Sequence, residues 1–173
     1  IIDFGLATRY LSDEHKRMTD RVGTLYSMAP QVLQGVYDAK CDLWSIGVVA
    51  YILLSGKQPF WGPPREIPWE QRKKIMVDRI MRCDYMRMNA GRWSGVSKEA
   101  KDFVKSLLQM DPNKRPSASE AMEHLWIKLH AEDKISLGPP EQPLNPKPTP
   151  TEEATIEEMD DDDAEDVILA TPA

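Results

Sequence analysis

Three consecutive residues near the start of the chain, Asp3-Phe4-Gly5, have the makings of a metal–phosphate site. They follow Ile1-Ile2, which reads as a strand already under way. A carboxylate at a strand end suits Mg2+, which takes oxygen ligands and keeps substrate phosphates as partners. A glycine directly after it lets the backbone turn. The same tripeptide also fits an ordinary strand-to-turn exit, so alone it decides nothing. Ser12, Thr19 and Thr24 add hydroxyls in the following segment, where a phosphate would bring negative charge that needs Arg partners. Asp42 opens the most apolar stretch of the chain, and the helix dipole favours a carboxylate there. Arg72-Lys73-Lys74, with Arg79 and Arg82, form a basic face suited to an acidic partner or to plain solvation.

The elements that must carry these residues are mainly helices. "AKCDLWSIGVVAYILLSG" is apolar nearly all round, which predicts a central buried helix stopped by Gly56. "PWEQRKKIMVDRIMRC" predicts a helix with Pro68 at its first position and a basic exposed face. "SKEAKDFVKSLLQM" starts at a capping Ser97, and Phe103, Val104, Leu107 and Leu108 fall on one face. "SASEAMEHLW" carries Ser117 with Glu120 three residues later, a capping box. Trp44, Trp61 and Trp126 read as packing residues. Beyond the opening strand, everything reads as helix and loop.

The 173 residues suffice for one domain of ordinary size, with a soluble globular composition. Cys41 and Cys83 provide neither a disulfide framework nor paired metal-ligand spacing, which suggests a reducing compartment. The run Ile46–Leu54 is far shorter than the roughly 20 residues a bilayer requires, so no membrane span is expected. The net charge of -6 is split unevenly. Residues 151–173 hold ten acids and no bases, which leaves the rest at +4, with 22 bases against 18 acids. Neither part is extreme enough to argue for nucleic acid. From Gly138 the chain is rich in Pro and then in acid, a composition that predicts a disordered tail. "VILATPA" at its end reads as frayed. The acidic run is not an EF-hand, because it lacks glycine at the sixth loop position and a spaced Glu at the twelfth.

Taken together, Asp3-Phe4-Gly5, "GTLYSMAPQVL" from Gly23, "DLWSIG" from Asp42 and "DPNKRPSA" from Asp111 resemble the C-terminal half of a eukaryotic serine/threonine protein kinase domain. Residues 1–130 carry the resemblance, and residues 131–173 form the tail. "VSKEAKDFVKSLLQMDPNKRPSASEAMEHLW" is most similar to the calcium/calmodulin-dependent and calcium-dependent kinase group. The fold class implied is mainly α: the lower part of the large kinase lobe, cut from an α+β parent.

The resemblance implies roles residue by residue. Asp3 matches the aspartate that binds Mg2+ on the ATP phosphates. Ile2, Phe4 and Gly5 fall in the nucleotide-binding part, and the Phe4 ring marks active and inactive states. Residues 9–22 match the activation loop, and Thr24 the threonine that contacts the catalytic carboxylate. Residues 26–30 match the floor under the peptide substrate. Asp42 matches a buried carboxylate that accepts backbone N–H bonds from the catalytic loop, and burial of that charge requires such bonds. Gln31 departs from the pattern, since the family has a Glu that pairs with the arginine matching Arg115. Reintroducing the charge by Gln31→Glu is therefore expected to stabilise the fold. Leu125 replaces a proline.

Implied cofactors are ATP and Mg2+. Implied partners are a protein bearing Ser or Thr and, by the group, calmodulin or a calcium-sensing region. No basic amphipathic helix follows residue 130 to serve calmodulin. The expected location is cytoplasmic or nuclear. The Gly-rich loop, the strand lysine and the catalytic-loop Asp of the family all precede Asp3-Phe4-Gly5, so the chain reads as a fragment expected to be inactive alone. A pseudokinase-type binding or scaffold module is the alternative reading, and Gln31 is its only hint.

Overall fold

The structure, a computed structural model, describes residues 4–8, 17–60, 66–89, 91–131 and 167–168. Asp3, Ile2, Ser12 and Trp61 lie outside these, so the roles expected of them have no structural counterpart here. The described elements in chain order are β1 (Gly23–Thr24), α1 (Pro30–Gln34), α2 (Lys40–Ser55), α3 (Trp69–Arg82), α4 (Lys98–Leu107), α5 (Ala118–Met122), α6 (Leu125–Ala131) and β2 (Val167–Ile168). Short 3-10 turns lie at Leu25–Ser27, Gly91–Trp93 and Pro112–Lys114. The chain is mainly helical, as its periodicity predicts.

Helix α2 is the axis of the lobe. Trp44, Val48 and Tyr51 face the main core, where Trp44 stacks on Phe60 with centroids 5.4 Å apart and planes 7° apart. Tyr51 meets Trp93 edge to face at 4.8 Å. Offset and edge-to-face ring pairs contribute beyond the area they bury. An adjacent face of α2 rests on α4 at Gly47, where a Cβ would sit 2.8 Å from Leu107 Cβ. Only glycine allows this approach. Leu43, Phe103, Leu107 and Ala121 form a second, smaller cluster, with Trp126 half-buried against it.

The start and stop signals hold locally. Ser97 Oγ accepts from Ala100 N at 3.1 Å, and Ser117 with Glu120 forms the full capping box. Gly35 and Gly56 close α1 and α2 in the left-handed region, at φ 83° and 68°. Cys83 does the same for α3 at φ 53°, an uncommon conformation for a side chain with a Cβ. Its thiol donates to Leu108 O at 3.1 Å and so ties the end of α3 to the end of α4.

Four expectations need correction. First, α2 is not buried all round, because Ile46, Val49 and Leu53 form an exposed stripe and Leu53 is 80% exposed. A helix whose apolar residues run all round its surface has no polar side to turn outward. Second, α3 begins at Trp69, with Pro68 as its N-cap. Third, the segment from Ser117 is two helices rather than one. The break falls at Glu123-His124, where His124 Nδ1 accepts from Trp126 N at 3.2 Å and restarts the turn. Fourth, the tail does not simply fray. Val167–Ile168 pairs antiparallel with Gly23–Thr24, in register Gly23 with Ile168 and Thr24 with Val167. An unpaired strand edge presents N–H and C=O groups that another extended segment can satisfy.

Candidate functional site

The first turn of α2 borders a groove of about 640 Å3. Three stretches distant in sequence meet there: Gly5–Thr8, Gly23–Thr24 and Cys41–Ser45. Each is brought in by a distinct device. Phe4 to Ala7 is a turn closed by Ala7 N donating to Phe4 O at 3.0 Å. Gly23 sits at φ 116°, where a side chain would be strained, and leads into the 3-10 turn. Ser27 Oγ donates to Thr24 O at 3.0 Å, and Ser45 Oγ of α2 donates to Ser27 O at 2.9 Å, so the Thr24 turn is moored to the helix. A further clasp joins Met18 and Tyr37, with Met18 N donating to Tyr37 O at 2.8 Å and Tyr37 N to Met18 O at 3.0 Å.

Of the residues predicted for the site, Gly5, Thr24 and Asp42 line this one groove. Phe4, directly before Gly5, is 68% exposed. Asp42 differs from expectation. It is exposed rather than buried, and its carboxylate accepts only from the Cys41 thiol at 3.5 Å among the bonds described. The groove beside it leaves its oxygens open. Burial pushes the Cys41 thiol up to about 12, helped by Asp42, so Cys41 stays protonated and is no nucleophile. The donors facing the groove are otherwise oxygens, from Asp42, Asp20 and the hydroxyls of Thr8, Thr24 and Ser45. That donor chemistry suits a hard cation such as Mg2+. Among the described residues, no group of three His, Cys, Asp or Glu gathers to hold a metal.

Below the groove, Arg115 is almost wholly buried. Its guanidinium lies 5.0 Å over the Trp44 ring. It donates to Gln31 Oε1 at 2.7 Å, to Gln109 O at 2.7 Å and to Lys40 O at 3.0 Å. Burial lowers its pKa, opposed first by the nearby Asp38 carboxylate. The pairing of position 31 with Arg115, expected from sequence, is present. Gln31 adds a bond that a carboxylate cannot make, since its Nε2 donates to Met110 O at 2.6 Å.

Sequence reasoning overlooked Ser45 and Tyr37, the two residues that moor the groove wall. A signal existed for Ser45, a small hydroxyl within the apolar run of α2. None existed for Tyr37, whose backbone pairs with Met18 and whose hydroxyl donates to Asp20 O at 2.6 Å. The basic face of α3 is a solvated face in part, where Arg82 pairs with Asp78 at 3.0 Å and Arg72 covers the Trp69 ring at 5.6 Å.

This constellation is that of the larger lobe of a phosphoryl-transfer fold, and the protein kinase domain family matches residues 1–127. The chain belongs to that family. It is 44% identical over 128 residues to "Calcium-dependent protein kinase 3" of Plasmodium berghei, covering 74% of this chain and 21% of that protein. It is 42% identical over 136 residues to "CDPK-related protein kinase" of Daucus carota, covering 79% and 21%. "CDPK-related kinase 8" of Arabidopsis thaliana is 41% identical over 132 residues, covering 76% and 20%. The chain thus spans about a fifth of the length of the curated relatives it matches. No helix among the described residues is long and apolar enough to cross a membrane.

Proposed function

We propose that the chain is the substrate-side portion of a serine/threonine protein kinase that transfers the γ-phosphate of ATP to protein hydroxyls. The observation that carries this is the meeting of Gly5, Thr24 and Asp42 around one oxygen-lined groove. In this reading Asp3, directly before the Phe4 turn, holds Mg2+, which supplies charge neutralisation at the phosphates. Thr24 and Asp42 position the carboxylate and backbone that receive the substrate hydroxyl. The segment from Tyr26 to Pro30 supports the peptide. Residues 1–130 form the kinase lobe and residues 131–173 its tail. Two unpaired cysteines support a cytoplasmic location. The names of the relatives support calcium control through a sensing region of the whole protein.

Gln31 does not favour a scaffold role, because Arg115 is fully provided for without a carboxylate. The test is phosphoryl transfer by the whole protein to a Ser/Thr peptide library with Mg2+ and ATP, with and without a calcium chelator. Asp42→Asn should lower kcat by about 100-fold or more while the unfolding midpoint holds. Equal rates in the variant and the parent, or no transfer by the parent under either condition, would refute the reading.

A further inference from the structure

At the other end of α2 lies a cavity of about 420 Å3 lined by Tyr51, Ser55, Lys57, Arg87, Arg92 and Trp93. Its wall is apolar. Tyr51 and Trp93 are both buried, and the Tyr51 hydroxyl donates to Met86 O at 3.0 Å. Its rim is cationic, since Lys57, Arg87 and Arg92 are exposed and, among the described residues, no carboxylate lines the cavity. The dipole at the C-terminus of α2 accounts for one cation, and Arg92 Nη1 lies 3.7 Å from where a Cβ on Gly56 would sit. It does not account for Arg87, which comes from the segment after α3. Neither Arg87 nor Arg92 takes part in the ion pairs among the described residues. The cavity also lies away from the apolar stripe of α2. Tyr51 projects from the side of the helix opposite Val49 and Leu53, about 200° from each.

The chain supplies a matching anion. All ten acids of the last 23 residues fall within 151–166. The tail returns to the lobe immediately afterwards, where Val167–Ile168 pairs with Gly23–Thr24. From that anchorage the cavity is within reach. Ser45 bonds to Ser27 beside the anchored strand, and Lys57 lies twelve residues further along the chain, about 18 Å at helical rise. The ten residues Glu157–Asp166 extend to about 33 Å.

We propose that residues 157–166 dock in cis on the Lys57–Arg87–Arg92 cavity, with Val167–Ile168 as their anchor. The contact is electrostatic at the rim, with the Tyr51–Trp93 wall behind it. It does not rest on the phosphoryl-transfer reading.

The test is amide hydrogen exchange on the whole protein, compared with a form lacking residues 151–173 and with the double variant Arg87→Glu/Arg92→Glu. Docking predicts that exchange at Lys57, Arg87 and Arg92 rises about tenfold or more in both altered forms, and in the parent at 1 M salt. A synthetic peptide of residues 151–166 added to the shortened form should restore protection. Unchanged exchange on removing the tail overturns the proposal. So does a loss of protection confined to Gly23–Thr24, which would leave the strand docked and the acidic run unbound. Protection that needs an added acidic protein and ignores the chain's own tail also overturns it. If the double variant fails to fold, the shortened form and the added peptide decide.

Discussion

Two charged side chains near the first turn of α2 are treated in opposite ways. Arg115 is buried beneath Trp44, and each guanidinium nitrogen has an acceptor. Asp42 is exposed beside the groove, and its one described donor is a thiol. The difference separates structure from chemistry. A buried cation that is fully hydrogen-bonded fixes the fold around it, and removing any part leaves polar groups stranded. A carboxylate left open costs little to keep and remains able to accept a new partner.

The strongest way to break this comparison is at the Trp44 stack. Trp44→Ala should destabilise the protein by about 4 kcal/mol, because it empties the core and uncovers Arg115. Urea unfolding of the whole protein would measure it, and a loss below 1 kcal/mol would mean the stack is not the keystone. Next comes Arg115→Met, which strands the carbonyls of Lys40 and Gln109 together with the Gln31 amide. The expected loss is about 3 kcal/mol by the same measurement. Gly47→Ala tests how tightly α2 meets α4. The added methyl has no room against Leu107 and Leu108, and overpacking should cost about 1–2 kcal/mol despite the better helix propensity of alanine.

The smallest effect sharpens the comparison most. Gln31→Glu gains a charged partner for Arg115 but loses the Nε2 bond to Met110 O and sets a carboxylate against that carbonyl. The two changes nearly cancel, so the melting temperature should move by less than about 2 °C. This replaces the clear stabilisation expected from charge alone. A rise of 5 °C would show that Arg115 lacks a counter-charge after all.

The thiols extend the argument to pH. Burial raises Cys41 to about 12 and Cys83 to about 11, above their unfolded value near 9. Their contribution is therefore complete below about pH 9 and is lost as pH rises towards 11 and 12. Tyr37, Tyr51 and Tyr85 shift in the same direction, also chiefly through burial. Chemical denaturation at pH 8 and pH 10.5 should show lower stability at the higher pH.

Much of this was legible beforehand because it is local. Ser97, Ser117 with Glu120, and Gly56 act within one turn of where they sit, so their roles follow from neighbours in sequence. The union of Gly5, Thr24 and Asp42 was legible only through resemblance, since no periodicity brings three separated segments together. The open state of Asp42 was not legible, nor was the side of α2 that stays uncovered. Both depend on which surfaces surround a helix, and an all-round apolar pattern does not say which side stays uncovered. The pairing of Val167–Ile168 with Gly23–Thr24 was hidden for a similar reason. A two-residue strand is held by its backbone and leaves no pattern in side chains.

The clasp between Met18 and Tyr37 turns the chain between them into a closed ring. Thr19 and Thr24, the exposed hydroxyl and the groove threonine, sit on the same ring as α1. A displacement at Thr19 therefore has two routes to the groove, forward along the strand and backward through Tyr37 and α1. The Tyr37 hydroxyl on Asp20 O and Arg21 Nη2 on Gln34 O tie the same two sides together. The ring thus sets how far a change at the lobe surface carries inward.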